Sequence, residues 1–371
     1  MILYEFEVRR LLELEGVPLE DACVAANTDE LDQCLSRISP PYVVKAQVRG
    51  WGRGKAGLVR VAETRGEARE YATRFLGSTY GGQPIRYVMV SEYVPHGDEY
   101  YMSLMLDGAT RSILLLASRT GGVEVERGGA MKVRVSMLSG LKPYMSRLVG
   151  YYLGIPGRQV DAFLEKAYRV FVQYRLHLLE LNPLVVVDGE LLPIDRKAIV
   201  DDDAIRFSDI LGEFWERYLS ELPPVQREAV EAGINLVLLR GEVGVIGNGA
   251  GLTMATMDLV ESMGGRPGVF LDIGGGAAAG RVKRSLNLVS RVEGIRSIVV
   301  NILGGITRCD EVAVGIVEAV REIPGLLERL HVRMAGLNEE EGRRILVENG
   351  VKVYTDPITA VREAVRYADT G

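Results

Sequence analysis

At 371 residues, with 47% hydrophobic and 25% charged side chains, the chain has the make-up of an ordinary globular protein long enough for two domains or more. Its net charge of -6 argues against nucleic acid as the main partner, and no apolar run is long enough to span a membrane, since Asn301 and glycines interrupt SIVVNILGGI at 297–306. The cysteines, Cys23, Cys34 and Cys309, form no Cys-x-x-Cys pair and are odd in number, so no disulfide framework is expected and the compartment reads as reducing and cytoplasmic.

The opening MILYEFEVRRLLELEG reads as an amphipathic helix ended by Gly16, with acidic residues that an export leader lacks. The apolar run YVVKAQV at 42–48 then predicts a strand leading into RGWGRGKAG at 49–57. This loop fails the Walker A pattern twice: Arg49 stands where the first glycine is required, and Ala56 has no hydroxyl for magnesium. Several glycines after a strand still expose backbone N–H groups that can close on an anion, with Arg53 and Lys55 adding charge. The plainer alternative is a solvated basic hairpin tip.

The segment LLELNPLVVVDGELLPIDRKAIV at 178–200 contains Asp188-Gly189 between apolar residues, a two-residue hairpin signal. With that turn, Asn182 faces Asp195 and Glu180 faces Lys197, and strand alternation sends all four side chains to one face. An Asn and an Asp side by side offer two hard oxygens to Mg²⁺, the remainder coming from phosphates and water. An exposed Glu–Lys cross-strand pair is the competing explanation, and a longer turn would shift the register. His177 is expected in a helical run ahead of this hairpin.

Residues 1–235 mix hairpins with helices and read as an α+β domain; LSELPPVQREAVEAG at 219–233 marks the junction. Residues 236–371 read as α/β. Short apolar strands at 243–247, 268–274, 297–303, 331–336 and 351–355 alternate with helical runs, which predicts a doubly wound parallel sheet. Three glycine loops, at 247–252, 274–280 and 304–310, fall at carboxyl ends of strands and lead into helices, an arrangement that suits an anion. The first is one residue short of a dinucleotide fingerprint, although Asp272 follows the next strand. Cys309 is expected to be a packed core thiol rather than a reactive one.

Taken together, VVKAQV…GRGKAG, ELNPLVV, GNGAGLTMATMD, FLDIGGGA and NILGGITRCDEVAVGI resemble, in order and spacing, the β subunit of succinyl-CoA synthetase, the nucleotide-dependent ligase of the citric acid cycle. The resemblance implies an ATP-grasp fold for the first domain and a flavodoxin-like fold for the second. It implies that Lys45 and the backbone of Gly52, Arg53 and Gly54 contact ATP/ADP (or GTP/GDP), and that Glu92, Val94 and Glu99 hold the nucleoside. Asn182 and Asp195 match the Mg²⁺ ligands, and Glu180 an acidic residue that orients a phosphohistidine. Asn248, Gly305, Ile306 and Thr307 match substrate-binding positions.

In that family the phosphohistidine and most of the CoA site belong to an α subunit, in an αβ dimer or α2β2 tetramer acting on succinate. This chain's His96, His177 and His331 lie in no glycine-rich loop, so a partner is expected to supply the histidine. Departures from the pattern are Arg49, Trp51, Arg119-Thr120-Gly121-Gly122 and Thr307. They leave open a malate or other acyl-CoA ligase β subunit, with a stand-alone ATP-grasp carboxylate ligase or a non-catalytic nucleotide-binding subunit as further alternatives.

Overall fold

The computed structural model describes residues 1–121 and 129–370, so Gly122 of the divergent segment lies outside the described residues. The chain forms two compact units, Met1–Glu216 and Arg217–Gly371. The sequence boundary at 235/236 falls inside the second unit. The reason is local: helix Pro224–Glu231 packs on strand Asn235–Leu238, which itself pairs with Pro267–Asp272.

In the first unit, strand Tyr42–Gln47 lies inside a four-stranded antiparallel sheet in the order Ala22–Ala25, Tyr87–Glu92, Tyr42–Gln47, Val59–Ala62. All six of its residues are buried, which carries Lys45 and Gln47 out of water along with their apolar neighbours. Helices Thr28–Arg37 and Arg65–Leu76 pack on this sheet through Leu31, Leu35, Ala68 and Phe75. Asn27 and Thr64 start them by accepting the N–H groups of the first turn.

A second antiparallel sheet is built on the long strand Leu176–Val187, flanked by Tyr100–Asp107, Glu190–Pro193 and Arg196–Val200. Helices Glu5–Leu14, Pro143–Leu153 and Gly157–Gln173 cover its core. Asp188 and Gly189 have φ of 50° and 82°, the left-handed pair that a tight two-residue hairpin requires. His177 sits at the start of this strand and not in a helix, because helix Gly157–Gln173 stops earlier and Arg175 turns the chain with φ 48°.

The expectation of no disulfide is corrected: Cys23 and Cys34 are bonded to each other. The short turn after strand Ala22–Ala25 folds helix Thr28–Arg37 back against it, bringing the two Cα atoms to 5.4 Å, a proximity that an 11-residue spacing does not reveal. Cys309 is a buried free thiol, as expected, and burial beside Glu339 and Asp310 pushes its pKa up.

The second unit has the sheet order Asn235–Leu238, Pro267–Asp272, Val243–Gly247, Ser297–Gly304, Leu330–Gly336, Val353–Tyr354. The last five are parallel in the flavodoxin-like order 2-1-3-4-5, and the first is an antiparallel addition. One face is covered by helices Ala279–Ser290 and Cys309–Glu322, the other by Ala250–Ser262 and Pro357–Thr370. The predicted alternation is therefore present strand for strand. No helix among the described residues is long and apolar enough to cross a membrane.

Candidate nucleotide site

The two larger sheets of the first unit enclose a cleft of about 770 Å³. One wall is the hairpin Tyr42–Gln47/Val59–Ala62 with its glycine loop, and the other is the long strand and its partner. The residues expected to contact nucleotide, Lys45, Gly52, Arg53, Gly54, Glu92, Val94 and Glu99, all line it. So do Glu180, Asn182 and Asp195.

The hairpin register is the one its turn dictates. Val187 pairs with Glu190, Leu181 with Arg196 and Glu180 with Lys197. The Asn182 N–H donates to the Asp195 carbonyl at 2.9 Å, so the two residues face each other and their side chains share the cleft wall. Glu180 Oε1 lies 3.8 Å from Lys197 Nζ, one step along the same face. No cluster of three or more His, Cys, Asp or Glu with metal-ligand geometry occurs among the described residues. Two protein oxygens fit a magnesium ion that arrives with phosphates, not one caged by protein alone.

Beneath these residues is a buried ionic floor that sequence reasoning missed. Lys45 Nζ donates to Glu5 Oε1 at 2.9 Å and to the carbonyl of Ile194 at 2.6 Å. Arg53, expected to offer an anion both its backbone and its charge, turns its side chain inward onto carboxylates. Its Nη1 meets Glu5 Oε2 at 2.8 Å, and its Nη2 donates to Asp195 Oδ1. Arg196 lies 3.6 Å from Glu5 and is paired with Glu20. Three cations thus face three carboxylates, Glu5, Glu20 and Asp195. Burial pushes the Glu5 pKa up, but Lys45, Arg53 and Arg196 outweigh it and bring the carboxyl down to about 2. Burial lowers the Arg53 pKa, and Asp195 with Glu5 more than reverses this.

The signal available for Glu5 was its place in the first turn of a helix whose buried stripe, Val8, Leu11 and Leu12, also takes in Glu5 and Glu7. A carboxylate inside an apolar stripe requires a cation, and the sequence did not say which. Arg49 answers Glu7 at 3.0 Å and lies over the Tyr4 ring, so this departure from the family pattern is a structural pair. Trp51 sits half-exposed at the cleft, its carbonyl accepting the Tyr80 hydroxyl at 2.6 Å; a Cβ on the next residue, Gly52 (φ 84°), would crowd that hydroxyl.

At the far end of the cleft, His96 Nδ1 bonds the Val94 carbonyl at 2.7 Å and its Nε2 lies 3.3 Å from Glu99 Oε1, bracing the segment between strands Tyr87–Glu92 and Tyr100–Asp107. Glu92 accepts the Asp21 N–H at 3.2 Å.

In the second unit, the Asn248 carboxamide spans the switch point of the sheet. It bonds both backbone groups of Leu303, at 3.0 and 2.9 Å, and the Thr307 hydroxyl at 3.1 Å. Thr307 is buried and also accepts the Gly276 N–H at 3.0 Å, so its hydroxyl ties the three glycine loops together. Gly305 and Ile306 project to the surface beside it. Asp272 accepts the N–H groups of Gly249 and Gly274 at 2.6 and 2.8 Å, occupying from within two donors that an external anion was expected to use.

Two family models match the chain: the ATP-grasp domain over residues 2–186 and the CoA-ligase domain over 246–367. The chain is 40% identical to the succinate–CoA ligase [ADP-forming] subunit beta of Pyrobaculum arsenaticum, covering 99% of this chain and 100% of that one. It is 38% identical to the subunits of the same name from Staphylothermus marinus and Herpetosiphon aurantiacus, with 99% of this chain covered in each. Among solved structures, the ATP citrate lyase of Methanothrix soehngenii in complex with citrate and coenzyme A has the same fold, with a TM-score of 0.75 at 21% identity over 98% of this chain. With both domain models in sequence order and full-length relatives at about 40% identity, the chain belongs to the β-subunit family of the ADP-forming succinate–CoA ligases.

Proposed function

We propose that the chain is the nucleotide-binding subunit of a succinate–CoA ligase, interconverting succinate, CoA and ATP with succinyl-CoA, ADP and phosphate together with an α subunit. The observation that carries this reading is the meeting of Asn182 and Asp195 across the hairpin, in the same cleft as Lys45 and the glycine loop. The relatives are named as ADP-forming, which favours ATP/ADP over GTP/GDP.

In this reading Lys45 and the N–H groups of Gly52, Arg53 and Gly54 hold the phosphates, while Glu92, Val94 and Glu99 hold the nucleoside. Asn182 and Asp195 would hold Mg²⁺, which when bound supplies charge neutralisation at the phosphate oxygens. Glu180, kept on the same face by the register and steadied by Lys197, orients the histidine that the α subunit presents. Asn248 and Thr307 fix the loops carrying Gly305 and Ile306, whose surface meets the acid side of the reaction. The α subunit carries the phosphohistidine and the CoA site, in an αβ or α2β2 assembly in the cytoplasm.

The test is to incubate the chain with γ-labelled ATP and Mg²⁺, with and without the α subunit. Label should appear on the partner's histidine and be discharged by succinate plus CoA. Turnover by this chain alone would overturn the reading in favour of a stand-alone ligase, and discharge by another acid would reassign the substrate.

A further inference from the structure

We infer that the Arg53 guanidinium and the divalent ion compete for the carboxylate of Asp195, so that metal is admitted only with a nucleotide whose phosphates draw the guanidinium away. The inference rests on the assignment of Asp195 to the metal made above.

The contact itself is the first support. Arg53 reaches inward from the glycine loop, and its Nη2 donates to Asp195 Oδ1, which also accepts the Arg196 N–H at 2.8 Å. A metal on this oxygen would have to displace the guanidinium. A metal on Oδ2 would stand beside it, and two cations at that separation repel strongly where water screens them poorly. Burial is the second support: Arg53 is 3% exposed, so its charge cannot relax into solvent while the loop keeps its place.

Charge balance is the third. The floor pairs Lys45, Arg53 and Arg196 with Glu5, Glu20 and Asp195, leaving no surplus carboxylate to attract a cation. Arriving phosphates change that balance, because their oxygens are strong partners for a guanidinium fork. Glu5 serves as the pivot. It keeps Nη1 at 2.8 Å while Nη2 is free to leave Asp195.

The experiment follows Mn²⁺ binding to the full chain by loss of the free-ion paramagnetic resonance signal, with and without ADP, in the wild type, Arg53→Gln, Arg53→Met and Asp195→Asn. Without ADP the wild type should bind Mn²⁺ weakly, and the Arg53 variant that circular dichroism shows to be folded should bind it about tenfold or more tightly. With ADP the wild type should bind tightly and Asp195→Asn should not. Equal nucleotide-free affinity in the wild type and the Arg53 variants, with Asp195-dependent binding in the presence of ADP, overturns the competition and leaves the metal assignment standing. Wild-type chain that binds Mn²⁺ as tightly without ADP as with it overturns the competition whatever the variants do. Absence of Asp195-dependent binding even with ADP removes the metal assignment and the competition together.

Discussion

Glu5 and Lys45, forty positions apart, form a buried ion pair at 2.9 Å beneath the cleft of the first unit, and the same carboxylate holds Arg53 at 2.8 Å. The opening helix therefore organises the cations of a site built from strands far along the chain. Replacing Glu5 with Gln leaves Lys45, Arg53 and Arg196 short of one carboxylate in a dry environment. A loss of about 3–5 kcal/mol in unfolding free energy is expected, with weaker ADP binding. Denaturant unfolding and ADP titration calorimetry measure both; an unchanged midpoint would remove the organising role.

The same carboxyl sets an acid limit. Its pKa in the folded state, about 2, lies below its ordinary value of 4.5, so its contribution is complete above pH 4.5 and is lost as the pH falls toward 2. His331 works at higher pH. Burial, with Lys352 nearby, lowers its pKa from 6.5 to about 4. The unfolded chain then binds the extra proton first, and stability falls as the pH drops from 6.5 toward 4. Chemical denaturation across pH 4–7 should show this slope in the wild type and a flatter one in His331→Phe.

The turn at Asp188-Gly189 sets the register that joins Asn182 to Asp195. Gly189→Val forces a β-branched residue into φ 82° and should cost about 1–3 kcal/mol. Inserting one residue between them should affect Mg²⁺-dependent ADP binding more than nucleotide binding without metal, because slippage separates the two oxygens. Calorimetry with and without Mg²⁺ tells these apart.

Thr307→Val removes the acceptor for both Asn248 and Gly276 while keeping the side-chain shape. About 1–3 kcal/mol of stability should be lost in the second unit. If Gly305 and Ile306 meet the acid, the KM for succinate should rise while that for ATP stays within about twofold. Steady-state kinetics with the α subunit present is the measurement.

The Cys23–Cys34 bond closes a short loop at the edge of the first sheet. By the loop-entropy relation, its removal should cost about 3 kcal/mol. Thiol titration of the denatured, unreduced chain should find one reactive group, Cys309, and three after reduction, with a lower Tm for the reduced protein. Three thiols before reduction would show that the pair is open.

Local pattern and chain order determined much of this protein. The strand and helix alternation after Val243 was legible because each apolar run is buried on both sides of a parallel sheet. The pairing of Asn182 with Asp195 was legible because a two-residue turn leaves only one register. Only the tertiary structure decided the partners of the charged residues beneath the cleft, whereas the Glu180–Lys197 pair followed from the register. Glu5, Glu20, Arg53 and Arg196 lie on separate elements, and an ion pair leaves no spacing rule in the sequence when its members meet through packing. The Cys23–Cys34 bond was hidden for the same reason, since closeness in space came from a helix folding back on a strand. The part played by Asn248 and Asp272, whose side chains serve the loops of their own sheet, likewise depended on which loops the sheet order set side by side.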